Sequence, residues 1–207
     1  MKSRRRVNST VGPHSIMEIA TDSCMKVEFR RTGDRQYAVV IIVAGRPTLE
    51  MKPAPGYDAR MPHDLIHFVV ERELAIRHGI FGQLAAGGTA GTFHPTANAT
   101  MPSREAARQR RAVAKRGTKL LQQGRADSAR SEQAADICLR AWVTRKARGA
   151  FTVTNDVPYS AAELARVCDV LDELSAAWTK LGIGQALVLT WRAAGREEHR
   201  VAAVRPN

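Results

Sequence analysis

Two stretches near the start of the chain have the hydrophobic patterns of β-strands. Residues 26–30 alternate polar and apolar side chains, which predicts a strand with one buried face. Residues 37–43 are almost continuously apolar and β-branched, and the polar residues at 32–34 are typical of a turn. We therefore predict a β-hairpin, followed by a short third strand over 48–52 that ends at two prolines.

The next apolar pattern has the longer spacing of a helix. Pro62 is a favourable start, because the N–H that proline lacks would have no partner in the first helical turn. A helix is predicted over residues 63–78, with Gly79 just past its end. The glycine-rich residues 79–91 do not follow a strand and lack the Gly-Lys-Ser/Thr ending of a phosphate loop. We interpret them as a loop around a short helix over 80–86.

Three longer helices are predicted in the second half of the chain. A basic helix is predicted over residues 103–123, and Gly124 separates it from another over 127–148. Ser160 and Glu163 form a capping-box pattern ahead of apolar residues spaced three and four apart. That pattern predicts the start of the last helix.

The chain is predicted to close with strands over residues 186–191 and 199–204. Because an isolated two-stranded hairpin is only marginally stable in water, strands at both ends should meet in one sheet. We expect an α+β fold, with an antiparallel sheet of four or five strands built from the N-terminal and C-terminal hairpins and with helices on one face. Residues 25–207 would form this single domain, with a mobile connection at 94–102, and residues 1–24 a flexible tail.

Composition narrows the class of protein. Hydrophobic residues make up 44% of the 207 residues, enough for a core, and aromatic residues only 5%. The three cysteines are an odd number and widely spaced, which excludes a disulfide framework and a CxxC metal knuckle. No apolar run approaches the ~18 residues that cross a bilayer. The basic start has no apolar stretch after it, as a secretory signal would, so a cytoplasmic protein is expected.

The predicted helix over 63–78 holds three of the six histidines. His63 and His67 are one turn apart, about 6 Å along the helix axis, so both can reach one metal ion. Asp64 is close enough to join them as a ligand or to support them as a hydrogen-bond partner. Glu71 lies about 12 Å along the axis from His63, too far to share an ion with both histidines.

A complete metal site would need a ligand from elsewhere in the chain. The candidates are His94, His199, Gln83 and Glu73. With His63, Asp64 and His67 as ligands, a divalent ion such as zinc could activate water or polarise a carbonyl, as in a metal-dependent hydrolase or lyase. The alternative is that the two histidines are polar residues at a helix start, held by the backbone or by Glu71 without any metal.

The His-Asp-x-x-His pattern at 63–67 resembles that of the ubiquinone-biosynthesis proteins. The resemblance implies a zinc-type site in which a glutamate follows at a distance, but the corresponding position here is Gly79. That family is all-helical, unlike the strand and helix order predicted here. A longer stretch, MPHDLIHFVVE at 61–71 with GIFGQ at 79–83, is similar to uncharacterised bacterial proteins and implies a shared module over about residues 25–93.

Positive charge is concentrated in one segment. Residues 103–148 contain 13 Lys and Arg against 4 Asp and Glu, a net +9 of the protein's +12. In the first helix of this segment, five basic residues fall within about 80° of one another, and we name them the basic stripe. These residues are Arg104, Arg108, Arg111, Lys115 and Lys119.

A basic stripe can align with the phosphates of a nucleic acid or another polyanion. No aromatic residue interleaves with it, so base stacking is not indicated. The second hypothesis is therefore a non-enzymatic, nucleic-acid-associated or interaction protein that acts through residues 103–148. The alternative is that the stripe is simply a solvated face of a helix.

Overall fold

The strands and helices are those of a computed structural model, which describes residues 24–96, 103–149, 157–192 and 202–203. The strands are β1 (Met25–Gly33), β2 (Gln36–Ile42), β3 (Leu49–Met51), β4 (His94–Pro95), β5 (Ala186–Trp191) and β6 (Ala202–Ala203). The helices are α1 (His63–Glu73), α2 (Ile80–Ala85), α3 (Ser103–Gln123), α4 (Arg125–Arg148) and α5 (Ala161–Trp178).

All the strands join one antiparallel sheet in the order β4-β3-β2-β1-β5-β6. β1 lies in the middle, where Val27 pairs with Ile41 of β2 on one side and with Leu189 of β5 on the other. The strands from the two ends of the chain therefore share one sheet, which confirms the predicted architecture. Short two-residue strands form both edges.

Helices α1, α2 and α5 pack against one face of the sheet, on which the sequence predicted helices. Phe29 on β1 contacts Phe68 of α1 and Phe81 of α2, with ring centroids 6.1 and 6.3 Å apart. On the same side, Tyr37 of β2 contacts Trp178 of α5 at 6.0 Å. Because strand side chains alternate in direction, the residues between the buried ones point to the other face, which is polar along β1. α4 forms an outer layer against α1 and α5.

Some predicted boundaries differ from the structure. The predicted connection at 94–102 begins with β4, which pairs with β3; two residues are too few to produce a hydrophobic period. Of the strand predicted over 199–204, only Ala202–Ala203 lie in the described part of the chain. The predicted tail at 1–24 lies outside the described residues, except for Cys24.

α1 is shorter and more deeply buried than its sequence pattern suggested. Every residue from 64 to 71 is buried, because α4 packs over His67 and Glu71 while Tyr37 of the sheet covers Asp64. The helix ends at Glu73, and Ala75 adopts a left-handed backbone with φ of 53°. His78 therefore does not lie on the helix, and the prediction that α1 extends to residue 78 is wrong.

α5 begins as its capping box predicts. The Ser160 hydroxyl accepts a hydrogen bond from the backbone N–H of Glu163 at 3.2 Å, and the Glu163 carboxylate accepts one from the Ser160 N–H at 2.9 Å. These bonds satisfy backbone donors that the first helical turn leaves without partners.

None of the helices in the described ranges is long and apolar enough to pass through a membrane.

Candidate metal centre

The two histidines of α1 lie side by side, as their one-turn spacing predicts. Their ring centroids are 4.6 Å apart and their planes meet at 68°. His67 is fully buried, whereas His63, at the first position of the helix, is exposed. One imidazole of the pair therefore lies in the protein interior and the other at the surface.

A third ligand-type side chain comes from α4. Glu132 Oε2 lies 3.5 Å from His67 Nε2, and the candidate ligand atoms of His63, His67 and Glu132 all lie within 4.8 Å of one another. In the described part of the chain, this is the one group of histidine, cysteine and acidic residues that is arranged to hold a metal ion. We name these three residues the His-His-Glu cluster.

Asp64 lies outside the cluster, although its sequence position suggested a ligand. Its carboxylate is buried and accepts a hydrogen bond from the hydroxyl of Tyr37 on β2. Burial raises the pKa of Asp64, while the Tyr37 hydrogen bond and the nearby His63 lower it. Asp64 therefore lies near enough to affect His63 electrostatically, but it is directed toward the sheet.

The additional ligands expected from the sequence are also elsewhere. Among the described residues, Gln83, Glu73 and His94 are not part of the cluster, and His199 lies outside the described residues. Gln83 bonds to the carbonyl of His78, and Glu73 pairs with Arg72.

A chain of hydrogen bonds sets the orientation of His67. Glu71 is buried, and its two carboxylate oxygens accept the backbone N–H groups of Ile80 at 2.7 Å and Phe81 at 2.9 Å. Ser131 Oγ lies 2.8 Å from Glu71 Oε1 and 2.8 Å from His67 Nδ1. Above about pH 7, where the Glu71 carboxyl is ionised, the single hydroxyl proton of Ser131 goes to the carboxylate, and the Ser131 oxygen accepts the proton of His67 Nδ1–H. The other ring nitrogen, Nε2, then carries a lone pair.

That lone pair has no hydrogen-bond partner among the described residues, although Nε2 is buried. Burial, and to a smaller extent the neighbouring His63, lowers the pKa of His67 to about 4. His67 is therefore neutral at pH 7, and its contact with Glu132 is not an ion pair between opposite charges. An unsatisfied buried polar atom costs roughly 1–3 kcal/mol, which a bound cation would offset.

The basic stripe lies on the exposed side of α3. Its five residues are all exposed, and no hydrogen bond or ion pair joins them to other residues in the ranges that the structure describes. On the other side of the helix, Val113 and Leu120 are half-buried, and Leu120 packs near Gly88 of the glycine-rich loop. α3 therefore rests on that loop and presents its stripe to solvent.

Sequence reasoning did not find Ser131 and Glu132. Both lie on α4, more than sixty residues after His67, in a segment whose most visible property is its positive charge. Ser131 is buried and Glu132 exposed, so adjacent residues contact α1 in different ways. No spacing rule could pair them with the histidines, since only the packing of α4 on α1 brings them together.

Comparisons with models of protein families, with curated proteins and with solved structures find no match. The arrangement of the side chains is therefore the basis for a functional proposal.

The pKa of Glu71 and that of His67 are displaced in opposite directions. Burial raises the pKa of Glu71 to about 7 from an ordinary 4.5, although its hydrogen bonds to Ser131 and the backbone lower it. Folded Glu71 therefore keeps a proton that the unfolded chain releases, and stability falls as pH rises between these values. For His67, the unfolded chain takes up a proton below its ordinary 6.5 while the folded protein does not, so stability falls as pH decreases toward 4.

We predict that two single variants will have opposite pH dependences. Glu71→Gln removes the titration of Glu71 and leaves that of His67, so the stability of this variant should rise from pH 4.5 to pH 6.5. His67→Gln removes the titration of His67 and leaves that of Glu71, so the stability of this variant should fall as the pH rises over the same range. Each change should reach roughly 3 kcal/mol, with a flatter profile in the wild type. Urea denaturation at several pH values measures this, and the same slope in both variants would contradict the assignment.

Proposed function

We propose that the protein binds a divalent metal ion, with zinc the best match to its ligand types, through His63, His67 and Glu132. The observation that carries the proposal is the buried, unpartnered Nε2 of His67, which lies beside a carboxylate and a second imidazole. Zinc is bound in proteins by imidazole nitrogens and carboxylate oxygens at about 2.0–2.2 Å.

The spacing of the cluster supports this choice. Ligands of a tetrahedral zinc ion lie about 3.4 Å from one another. The 3.5 Å between His67 Nε2 and Glu132 Oε2 already matches that separation. No separation in the cluster exceeds 4.8 Å, so none must shrink by more than about 1.4 Å, and both His63 and Glu132 are exposed enough to move.

Three protein ligands leave the fourth tetrahedral position for water or a substrate. Because His63 and Glu132 are exposed, this position would be accessible from solvent. Two histidines and a glutamate are a known ligand set of catalytic zinc, which lowers the pKa of its bound water to about 7. This favours a metal-dependent hydrolase or lyase as the class of activity.

Residues that contact the ligands would hold them in the orientation and protonation state that binds a metal. Ser131 and Glu71 hold the His67 ring with Nε2 free, which is the form that binds a metal. Asp64, anchored by Tyr37, is placed to stabilise positive charge near His63. The proposed role of Asp64 is thus support of the site rather than ligation.

We predict that protein purified without a histidine tag binds one zinc ion per chain, measured by isothermal titration calorimetry and metal analysis. A zinc concentration 100 times the Kd should raise the stability by about 2.7 kcal/mol, because only the folded chain joins the ligands. His67→Ala and Glu132→Gln should each weaken zinc binding by about 100-fold or more.

Two matched variants control for nonspecific effects. His78→Ala removes an exposed histidine outside the cluster, and Asp136→Asn neutralises an exposed acid one turn further along α4. Both should bind zinc as the wild type does. If these controls weaken binding as much as the cluster variants, or if the wild type does not bind zinc, the proposal is wrong.

We also predict a supporting role for Ser131. Ser131→Ala removes the acceptor of His67 Nδ1–H while leaving every ligand in place, so zinc affinity should fall by about 10- to 100-fold. Ser131→Thr keeps the hydroxyl and should recover most of the affinity. Equal zinc affinity in the wild type and in a folded Ser131→Ala protein would show that the hydroxyl does not orient the ring.

A second candidate function is polyanion binding by the basic stripe, in a non-enzymatic, nucleic-acid-associated protein. The observation that favours it is that all five residues are exposed on one side of α3 and without ionic partners in the described ranges. Contacts of this kind are made to phosphates and release counterions, so they carry little sequence preference.

We predict salt-sensitive binding of duplex DNA through this stripe. With up to five phosphate contacts, the slope of log K against log salt should be no steeper than about −4 to −5. Replacing Arg108, Arg111 and Lys115 together by Glu should remove most of the affinity without unfolding the protein, because these side chains are exposed. DNA titrations at two salt concentrations measure this, and equal affinity in both proteins would mean that the stripe is only solvated.

A further inference from the structure

Two arginines from different parts of the chain converge on Gly87. Arg46 follows β2, and Arg116 lies on α3. A Cβ atom added to Gly87 would lie 3.1 Å from Arg46 Nη1 and 2.9 Å from Arg116 Nη1. The two Nη1 atoms are therefore no more than about 6 Å apart, close enough for both to reach one small anion.

The backbone holds this arrangement in place. Arg46 Nη1 donates a hydrogen bond to the carbonyl oxygen of Ala85 at 2.7 Å, which fixes one guanidinium beside the end of α2. Gly87 has a φ of 88° and no side chain, so the backbone leaves room for both guanidinium groups. A larger residue at this position would be strained and would obstruct them.

The charges of the two arginines are not compensated within the described residues. No carboxylate there forms an ion pair with Arg46 or Arg116, and both side chains are exposed. Arg145, by contrast, pairs with Asp169 and Asp172 at 2.7 and 2.5 Å. Two like charges held this close repel each other unless an anion lies between them.

We propose that Arg46 and Arg116 form a binding site for a phosphate group. A guanidinium presents several N–H donors in one plane, which suits the oxygens of a tetrahedral phosphate, and two of them can bind one dianion from two sides. Neither arginine belongs to the His-His-Glu cluster. Arg116 is not one of the five residues of the basic stripe, although it lies only about 60° around the helix from Lys119 at the edge of that stripe.

Inorganic phosphate is the probe for this site. In NMR titrations, the side-chain Nε–H signals of Arg46 and Arg116 should shift together with one Kd, while that of the exposed Arg35 should not shift with them. Arg46→Gln and Arg116→Gln should each weaken phosphate binding by about tenfold or more, because each removes one of two charged hydrogen-bond donors. Arg35→Gln, at an exposed position in the turn between β1 and β2 and with the same change of charge, should keep wild-type affinity.

Titration with a short DNA duplex distinguishes the source of the phosphate. If the Arg46→Gln/Arg116→Gln double variant binds DNA much more weakly than an Arg35→Gln/Arg60→Gln double variant, which loses the same charge at two exposed positions, and phosphate competes with DNA, the site takes a phosphate of a nucleic acid strand. If DNA binding is the same in both, the site takes a free phosphate or a small phosphorylated molecule. The proposal is overturned if the wild type binds neither probe, or if all three single variants lose phosphate equally.

Discussion

The buried carboxylate of Glu71 is the interaction on which the centre of the molecule depends. Its oxygens accept the N–H groups of Ile80 and Phe81, so they tie the start of α2 back to α1. The same carboxylate accepts the Ser131 hydroxyl and thereby holds α4 against α1. Gly79 must lack a side chain, because a Cβ there would lie 2.3 Å from the Glu71 carboxyl carbon. One acidic group thus determines where the chain turns and how two helices pack.

The same interaction sets the orientation of the His67 ring. The route from Glu71 through Ser131 to Nδ1 reaches the inner side of the ring, while Nε2 is left unpartnered and turned toward Glu132 and His63. Holding a neutral imidazole in this state is unfavourable in the absence of a partner, because the buried nitrogen has lost its hydrogen bond to water and gained no other. A cation bound to Nε2 would remove this unfavourable free energy, which is a physical reason for a metal to bind here.

Much of the fold follows from local patterns in the sequence. The period-two strands, the capping box at Ser160 and the basic helix at 103–123 were predictable because each depends on neighbours within a few residues. The common sheet was predictable too, since an isolated two-stranded hairpin is only marginally stable in water. The end of α1 was not, because the turn after Glu73 depends on Glu71 bonding to residues nine and ten positions later.

The candidate site likewise has one part that was predictable from the sequence and one part that was not. Helical periodicity alone places His63 and His67 one turn apart on the same side of a helix, so this half of the site was predictable from the sequence. The contribution of Glu132 to the group, and the contact of Asp64 with Tyr37 instead, depend on how the helices and the sheet pack. The physical reason is that a helix sets the direction of its side chains but not what packs against them. The packing of α4 and of the sheet on the two sides of α1 therefore selects which polar groups meet.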